Sequence, residues 1–275
     1  MRYWPFATLL LAACHPQSKS PPQPGEITFD GAGVTEAAAV QAQGERLSWV
    51  LGCRGCHGKD LQGTFFTEDE PQYGPLYASN LTVEVPEYTD AQLEGIIRRG
   101  VHPTRKTVWA MPSEIFQHLS DADLKAVIAH LRTIKPAGKK LPPPQFSKLD
   151  KEEIKSGEYK PAITLVRERS AMLPADLGKK YALGRYITEV TCAECHGPQL
   201  EGKKPPKPGM PPDLVVVGGY SRAEFETLIT RGIPVGNRKL NPMMSGVAQR
   251  RFSRLTSHER DALYAYLKAR ADQPQ

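Results

Sequence analysis

Cysteine is scarce in this chain: 5 residues among 275, with four of them in two close pairs, Cys53/Cys56 and Cys192/Cys195, and Cys14 left alone. A closed structural zinc site wants four ligands in a tetrahedral set, and one assembled from both pairs would leave the neighbouring histidines without a purpose. No βαβ pattern surrounds either pair, which argues against a thioredoxin-like redox site. The short apolar run inside residues 1–14 is too brief to span a bilayer. Lys and Arg are dispersed along the chain, so the net charge of +6 does not form the basic face that nucleic acid requires. Proline is the residue in excess, 25 in all, about twice the usual share. That excess favours long irregular connections. The 40% hydrophobic and 24% charged content is ordinary for a globular chain of two modest domains.

Each cysteine pair is the start of a pentapeptide, Cys53-Arg54-Gly55-Cys56-His57 and Cys192-Ala193-Glu194-Cys195-His196. C-x-x-C-H is the attachment signature of c-type haem. Two sulfurs on one helical turn match two substituents on one edge of a macrocycle, and the adjoining imidazole swings beneath the ring to reach the iron. The pentapeptides therefore assign Cys53, Cys56, Cys192 and Cys195 to attachment, and His57 and His196 to the proximal side of two haem c groups.

The residues downstream of each pentapeptide are also duplicated. Gly58, Leu61 and Gly63 return 139 residues later as Gly197, Leu200 and Gly202. Thr89 to Gln92, a capping-box pattern before Leu93, Ile96 and Ile97 with Gly100 as stop, returns as Ser221 to Glu224 before Phe225, Leu228 and Ile229 with Gly232 as stop. Ser120 and Thr256 open two final helices, the first with Leu124, Val127, Ile128 and Leu131 on one face, the second with Leu263, Tyr264 and Leu267 inward. A helix over about 36–51 and another over about 176–189 precede the pentapeptides. Features kept in order at drifting offsets mean one domain used twice. A 95-residue domain buries a limited core, so the apoprotein is expected to be poorly folded.

On these motifs the sequence resembles a di-haem c-type cytochrome made of two tandem class I cytochrome c domains, a likeness covering about residues 40–138 and 179–272. The resemblance implies an all-α fold: domain 1 over 40–138, a Pro/Lys-rich linker over 139–178, and domain 2 over 179–275. Along the linker, a strap on one domain and a helical turn near Lys151 to Lys155 are expected. The family places an axial thioether in a loop before the final helix, which implies Met111 as iron ligand in the first domain and Met244 in the second, with the adjacent Met243 as the alternative. His102 is a rival for the first iron. Met172 and Met210 fall outside that interval and are expected to fill core gaps. Trp49 and Trp109 are expected to pack the first haem pocket, and His118, His130 and His258 to lie at surfaces or caps.

Residues 1–14 resemble a bacterial lipoprotein signal ending in Leu11-Ala12-Ala13-Cys14, which implies acylation of Cys14 and a lipid anchor at a membrane surface on the periplasmic side of the cell envelope. Residues 15–39, rich in Pro and Gly, are expected to be a flexible tether. A thioether trans to imidazole gives six-coordinate, low-spin iron at comparatively high potential, with no place for a substrate. The function implied is relay of single electrons in a respiratory chain, between a donor dehydrogenase and an acceptor cytochrome or oxidase, with a mildly basic rim toward acidic partners. The alternative is a di-haem enzyme, such as a peroxidase or a sulfur-compound oxidoreductase, which requires one labile axial ligand. A sensor would need an output module, and the pattern holds none.

Overall fold

The computed structural model describes residues 26–207, 209–236 and 238–273; Cys14 and the signal-like segment 1–14 lie outside them. The first domain opens with α1 (Ala37–Val50), capped by the Glu36 carboxylate, and passes through Gly52 in the left-handed region (φ +84°) into the single turn α2 (Cys53–Cys56). After a hairpin of β1 (Thr64–Phe65) and β2 (Tyr77–Ala78) come α3 (Leu81–Glu84) and α4 (Asp90–Arg99). Thr89 and Gln92 close the expected capping box, and Gly100 ends the helix at φ +63°. A second hairpin, β3 (Val101–His102) with β4 (Lys106–Thr107), leads to α5 (Ser113–Phe116) and then α6 (Asp121–Thr133). Among the described residues these two-residue strands are the whole of the sheet content, so the all-α expectation holds.

The stripe Leu124, Val127, Ile128 and Leu131 is buried, 3–6% exposed, as α6 packs on α1. That crossing depends on a residue without a side chain. A Cβ on Gly44 would overlap the Ala126 carbonyl and lie 2.7 Å from Cβ of His130. The second domain repeats the device, where a Cβ on Gly184 would lie 2.5 Å from Cβ of Tyr266. Neither glycine was evident as a packing residue in the sequence, because each sits inside a helical run where glycine is only mildly unfavourable.

The connection is not a free linker. Residues 135–147 lie on the first domain: the Asn80 side-chain amide donates to the carbonyls of Ala137 (2.8 Å) and Lys139 (3.1 Å), and Gln145 N–H donates to Pro75 O (3.2 Å). Then α7 (Lys148–Ser156) uses the Asp150 carboxylate both to complete its own cap and to accept from Gly74 N–H at 2.7 Å. Phe146 and Tyr159 pack against Trp109 with ring centres 4.9 and 5.0 Å away. Next, α8 (Ala162–Arg169) lies on α4 and α5, held by Ala162 N–H on Val108 O and by the Arg169–Glu114 ion pair. The aromatic residues within the proline-rich stretch are what bind it down.

The second domain begins with α9 (Ala182–Ile187), later than the sequence suggested, and continues as a π turn over Thr188–Cys192 into α10 (Ala193–His196). It is completed by α11 (Arg222–Arg231), α12 (Pro242–Arg250) and α13 (Ser257–Ala271). The expected caps at Ser221 and Thr256 and the Gly232 stop are present. Leu263 and Leu267 are buried, joined by Tyr266, which the stripe did not include.

The two domains meet through an interface with approximate two-fold character. Arg46 of α1 pairs with Glu259 at the start of α13 (2.8 Å), and Tyr186 of α9 donates to Asp123 at the start of α6 (2.7 Å). By the internal repeat these are equivalent positions. Between them runs Phe29-Asp30, whose consecutive amides donate to Asp123 Oδ2 (3.0 Å) and Glu259 Oε1 (2.9 Å). Phe29 is 1% exposed. The tether expectation over 15–39 is thus corrected at its inner end, because one apolar side chain and hydrogen bonds to two carboxylates anchor the segment between the domains. Met172 and Met210 are corrected as well: at 48% and 47% exposure they fill no core gap.

Candidate functional site

In both halves the chain after the pentapeptide is bent the same way. Leu61 and Leu200 take positive φ (59° and 64°) and are fully buried, flanked by Gly58/Gly63 and Gly197/Gly202 with φ between 70° and 85°. The amides of Gly63 and Gly202 donate to the carbonyls of His57 and His196 at 2.8 and 2.7 Å. A branched side chain in left-handed backbone carries strain, here held by burial and by the carbonyl of each leucine accepting from Leu81 N–H and Leu214 N–H.

The bend delivers a carbonyl to each imidazole. Nδ1 of His57 donates to Ser79 O at 2.8 Å, and Nδ1 of His196 donates to Pro212 O at 2.7 Å. This fixes the tautomer with the proton on Nδ1 and leaves Nε2 as a bare lone pair. Burial, the larger effect, holds both imidazoles below their usual pKa against those hydrogen bonds, so each ring is neutral at pH 7. The thiols of Cys53, Cys56 and Cys192 are pushed up to about 11, first by burial, and are protonated there.

His57, Cys53 and Cys56 line a cavity of about 470 Å³ in the first domain, whose lining also includes Met111, Trp109, Leu93, Val127 and Phe116. Pro143, Pro144 and Phe146 of the connection complete it. A slot of that size lined mostly by apolar side chains, with two thiols, an imidazole and a thioether on the lining, fits a porphyrin and its iron. Its polar corner is Glu84, Tyr88, His102 and Arg105. His102 is buried, with Nδ1 accepting from the Thr104 and Arg105 amides and Nε2 2.7 Å from Arg105 Nη2. Both ring nitrogens are therefore engaged, which removes His102 as a rival ligand.

In the second domain Met243 and Met244 do not sit on a loop. They occupy the first turn of α12, whose cap is Asn241 accepting from Met243 N–H at 2.8 Å. Met243 points outward at 70% exposure, while Met244 is half-buried against the core. Trp109 lines the cavity as expected. Trp49 does not: it lies at the domain interface, beneath the guanidinium groups of Arg254 (4.4 Å) and Arg54 (5.0 Å). His118 and His130 are more enclosed than surface residues, the former 3.2 Å from Glu189 of the other domain and the latter 2.9 Å from Arg54. His258 is exposed and pairs with Asp30.

Two thiols on a helical turn, an imidazole oriented by a backbone carbonyl, and an apolar slot with a thioether on its lining define a c-type cytochrome domain. The comparisons agree. Residues 39–131 match the family described as cytochrome c oxidase, cbb3-type, subunit III, and residues 181–271 match the family described as cytochrome c. A diheme cytochrome c-type protein of Cereibacter sphaeroides is 25% identical over 267 residues, covering 86% of this chain and 87% of that protein. The fructose dehydrogenase cytochrome subunit of Gluconobacter japonicus is 24% identical over 58% of this chain, and a nicotinate dehydrogenase subunit of Pseudomonas putida is 24% identical over 63%. The chain spans 35% and 15% of those two proteins. The chain belongs to the di-haem c-type cytochromes, with two tandem cytochrome c domains and two covalently bound haem c groups, and its role is electron transfer.

Proposed function

We propose that this protein relays single electrons between a dehydrogenase and a downstream cytochrome or oxidase at the periplasmic side of a bacterial cell envelope. In this reading Cys53 and Cys56 hold the first haem and Cys192 and Cys195 the second. His57 and Met111 ligate one iron, and His196 and Met244 the other. The observation that carries it is the shared cavity of His57 and Met111, since an imidazole and a thioether on one slot would hold an iron between them and leave no position for a substrate. A haem so bound supplies a one-electron ferric/ferrous couple. The protein's own part is to hold Nε2 bare through the Ser79 and Pro212 carbonyls and to keep water from the slot. Arg105, the cation on the lining, suits the carboxylates that a haem carries. Acylation at Cys14 would supply membrane attachment; among the described residues no helix is long and apolar enough to cross a bilayer. The dehydrogenase subunits among the relatives support a dehydrogenase as donor.

Absorption and paramagnetic resonance of the purified holoprotein test this. Two low-spin centres inert to carbon monoxide and peroxide are expected, with Met111→Ala and Met244→Ala each converting one of them to a form that binds carbon monoxide. If neither substitution alters coordination, both thioether assignments fall. If the wild type binds peroxide at the second centre, the di-haem peroxidase reading replaces the relay.

A further inference from the structure

We infer that Arg251 and Glu194 form a charged pair set in the seam between the two haem-attachment motifs, where it positions the motifs against each other and sets the potentials of both haems. The inference rests on the relay reading above. Arg251 reaches both domains at once. Its Nε donates to Val50 O of α1 at 3.0 Å, three residues ahead of Cys53, and its Nη1 lies 2.8 Å from Oε2 of Glu194, inside the second pentapeptide. The guanidinium stacks so closely over Gly52 that a Cβ there would lie 2.7 Å from Cζ. Its side chain is 12% exposed, and Nη2 is buried with no hydrogen-bond partner among the described residues.

Arg251 thus meets the residue immediately before Cys53 and the residue immediately before Cys195. Glu194 in turn lines the cavity of the first domain although it belongs to the second domain's motif. The two attachment motifs therefore face one another, and this ion pair stands between them.

The repeat shows that the pair is not needed to build the fold. Phe252 and Leu255 correspond to Phe116 and Leu119, all buried, which aligns Arg251 with Ile115, and Glu194 with Gly55. The first domain makes the same turn with an apolar residue and a glycine. A half-buried charge costs desolvation, so its presence in one copy alone, at the place where the motifs meet, points to its field and its bridging geometry. A nearby cation favours the ferrous state, which carries less positive charge, and an anion favours the ferric.

The experiment is a spectroelectrochemical titration of the holoprotein with Arg251→Met, Arg251→Lys, Glu194→Gln and the double variant Arg251→Met/Glu194→Gln. Arg251→Met should lower both potentials, each by about tenfold in the ferrous/ferric ratio at fixed applied potential, equivalent to ~59 mV for one electron. Glu194→Gln should raise them by a similar factor, Arg251→Lys should restore most of the wild-type values, and the double variant should fall between the single ones. Shifts of the same sign in the two single variants would mean distortion and would overturn the inference, as would unchanged potentials or a change at one haem only. Coordination spectra recorded on the same samples report the relay reading separately, because an intact low-spin spectrum with unmoved potentials rejects the pair's role and leaves the relay standing.

Discussion

Substituting Gly44 by alanine places one methyl group at the tightest point of the first domain. The new Cβ would overlap the Ala126 carbonyl oxygen and stand 2.6 Å from its carbon and 2.7 Å from Cβ of His130. All three atoms belong to α6 backbone or to a Cβ fixed to it, so no flexible side-chain end can swing aside. The helices must separate, loosening Leu47, Val50, Val127 and Leu131, each at most 6% exposed. Overpacking of this kind costs about 1–3 kcal/mol and sometimes more, against a gain of about 0.5–1 kcal/mol for alanine over glycine within a helix. A net loss of about 1–2 kcal/mol is expected, a fall in Tm of about 2–8 °C for a chain of this size. Gly184→Ala should behave alike, since its Cβ meets Tyr266 Cβ at 2.5 Å. The control is Gly55→Ala, also helical, with nothing within 4 Å of the added carbon; it should be neutral or slightly stabilising. Thermal unfolding of the three haem-loaded variants, followed by circular dichroism, measures this. If Gly44→Ala melts with the wild type, the helices are not held at the separation described and the packing argument is wrong.

Glu259→Ala removes a fully buried carboxylate that accepts from Arg46, from Asp30 N–H and from Thr256 N–H. Breaking one partner of a buried ion pair costs about 3–5 kcal/mol, and denaturant titration should show that loss together with faster proteolysis between the domains. Glu189 gives a pH prediction. Burial pushes its carboxyl up to about 7, opposed by Arg185, while burial lowers His118, its neighbour at 3.2 Å. The two shifts describe a neutral hydrogen-bonded pair near pH 6 in place of an ion pair. A carboxyl raised in the folded state binds more protons there than in the unfolded chain, so stability is fully present below about pH 4.5 and lost as pH rises through 7. The part of the stability lost between pH 5 and 8 should be of order 2 kcal/mol and should vanish in Glu189→Gln, as melting curves at the two pH values would show.

Much of the fold was legible because its signals are local. The caps at Thr89, Ser120, Ser221 and Thr256 and the stops at Gly100 and Gly232 each depend on a few neighbouring residues, and the structure reproduces them. Contacts at long range were not legible. Gly44 and Gly184 read as ordinary helix residues, and their meaning lies in what crosses them. The segment over 139–178 reads as a linker by its prolines, yet Phe146 and Tyr159 tie its first part to Trp109. At the site the pentapeptides name six residues, but the carbonyls of Ser79 and Pro212, which orient the histidines, are backbone atoms with no sequence signature. The doubling of Met243 and Met244 hides a helix start, and burial separates the pair.

The residues shared by the two halves build the domain, whereas those that differ surround the haems. Both copies keep the crossing glycine, the buried leucine at positive φ and the helix caps. What the first domain has alone is the segment over 135–170, which adds Pro143, Pro144 and Phe146 to its cavity lining. What the second has alone is a helix-borne methionine pair, one member of which is 70% exposed. Excluding water from an iron centre penalises the more highly charged ferric state, so the first centre should have the higher potential and the second should give up its electron first. A redox titration of the holoprotein should resolve two one-electron waves, and Met111→Ala should displace the upper one. A single two-electron wave, or movement of the lower wave in that variant, would show that the added covering of the first site does not govern the difference between the centres.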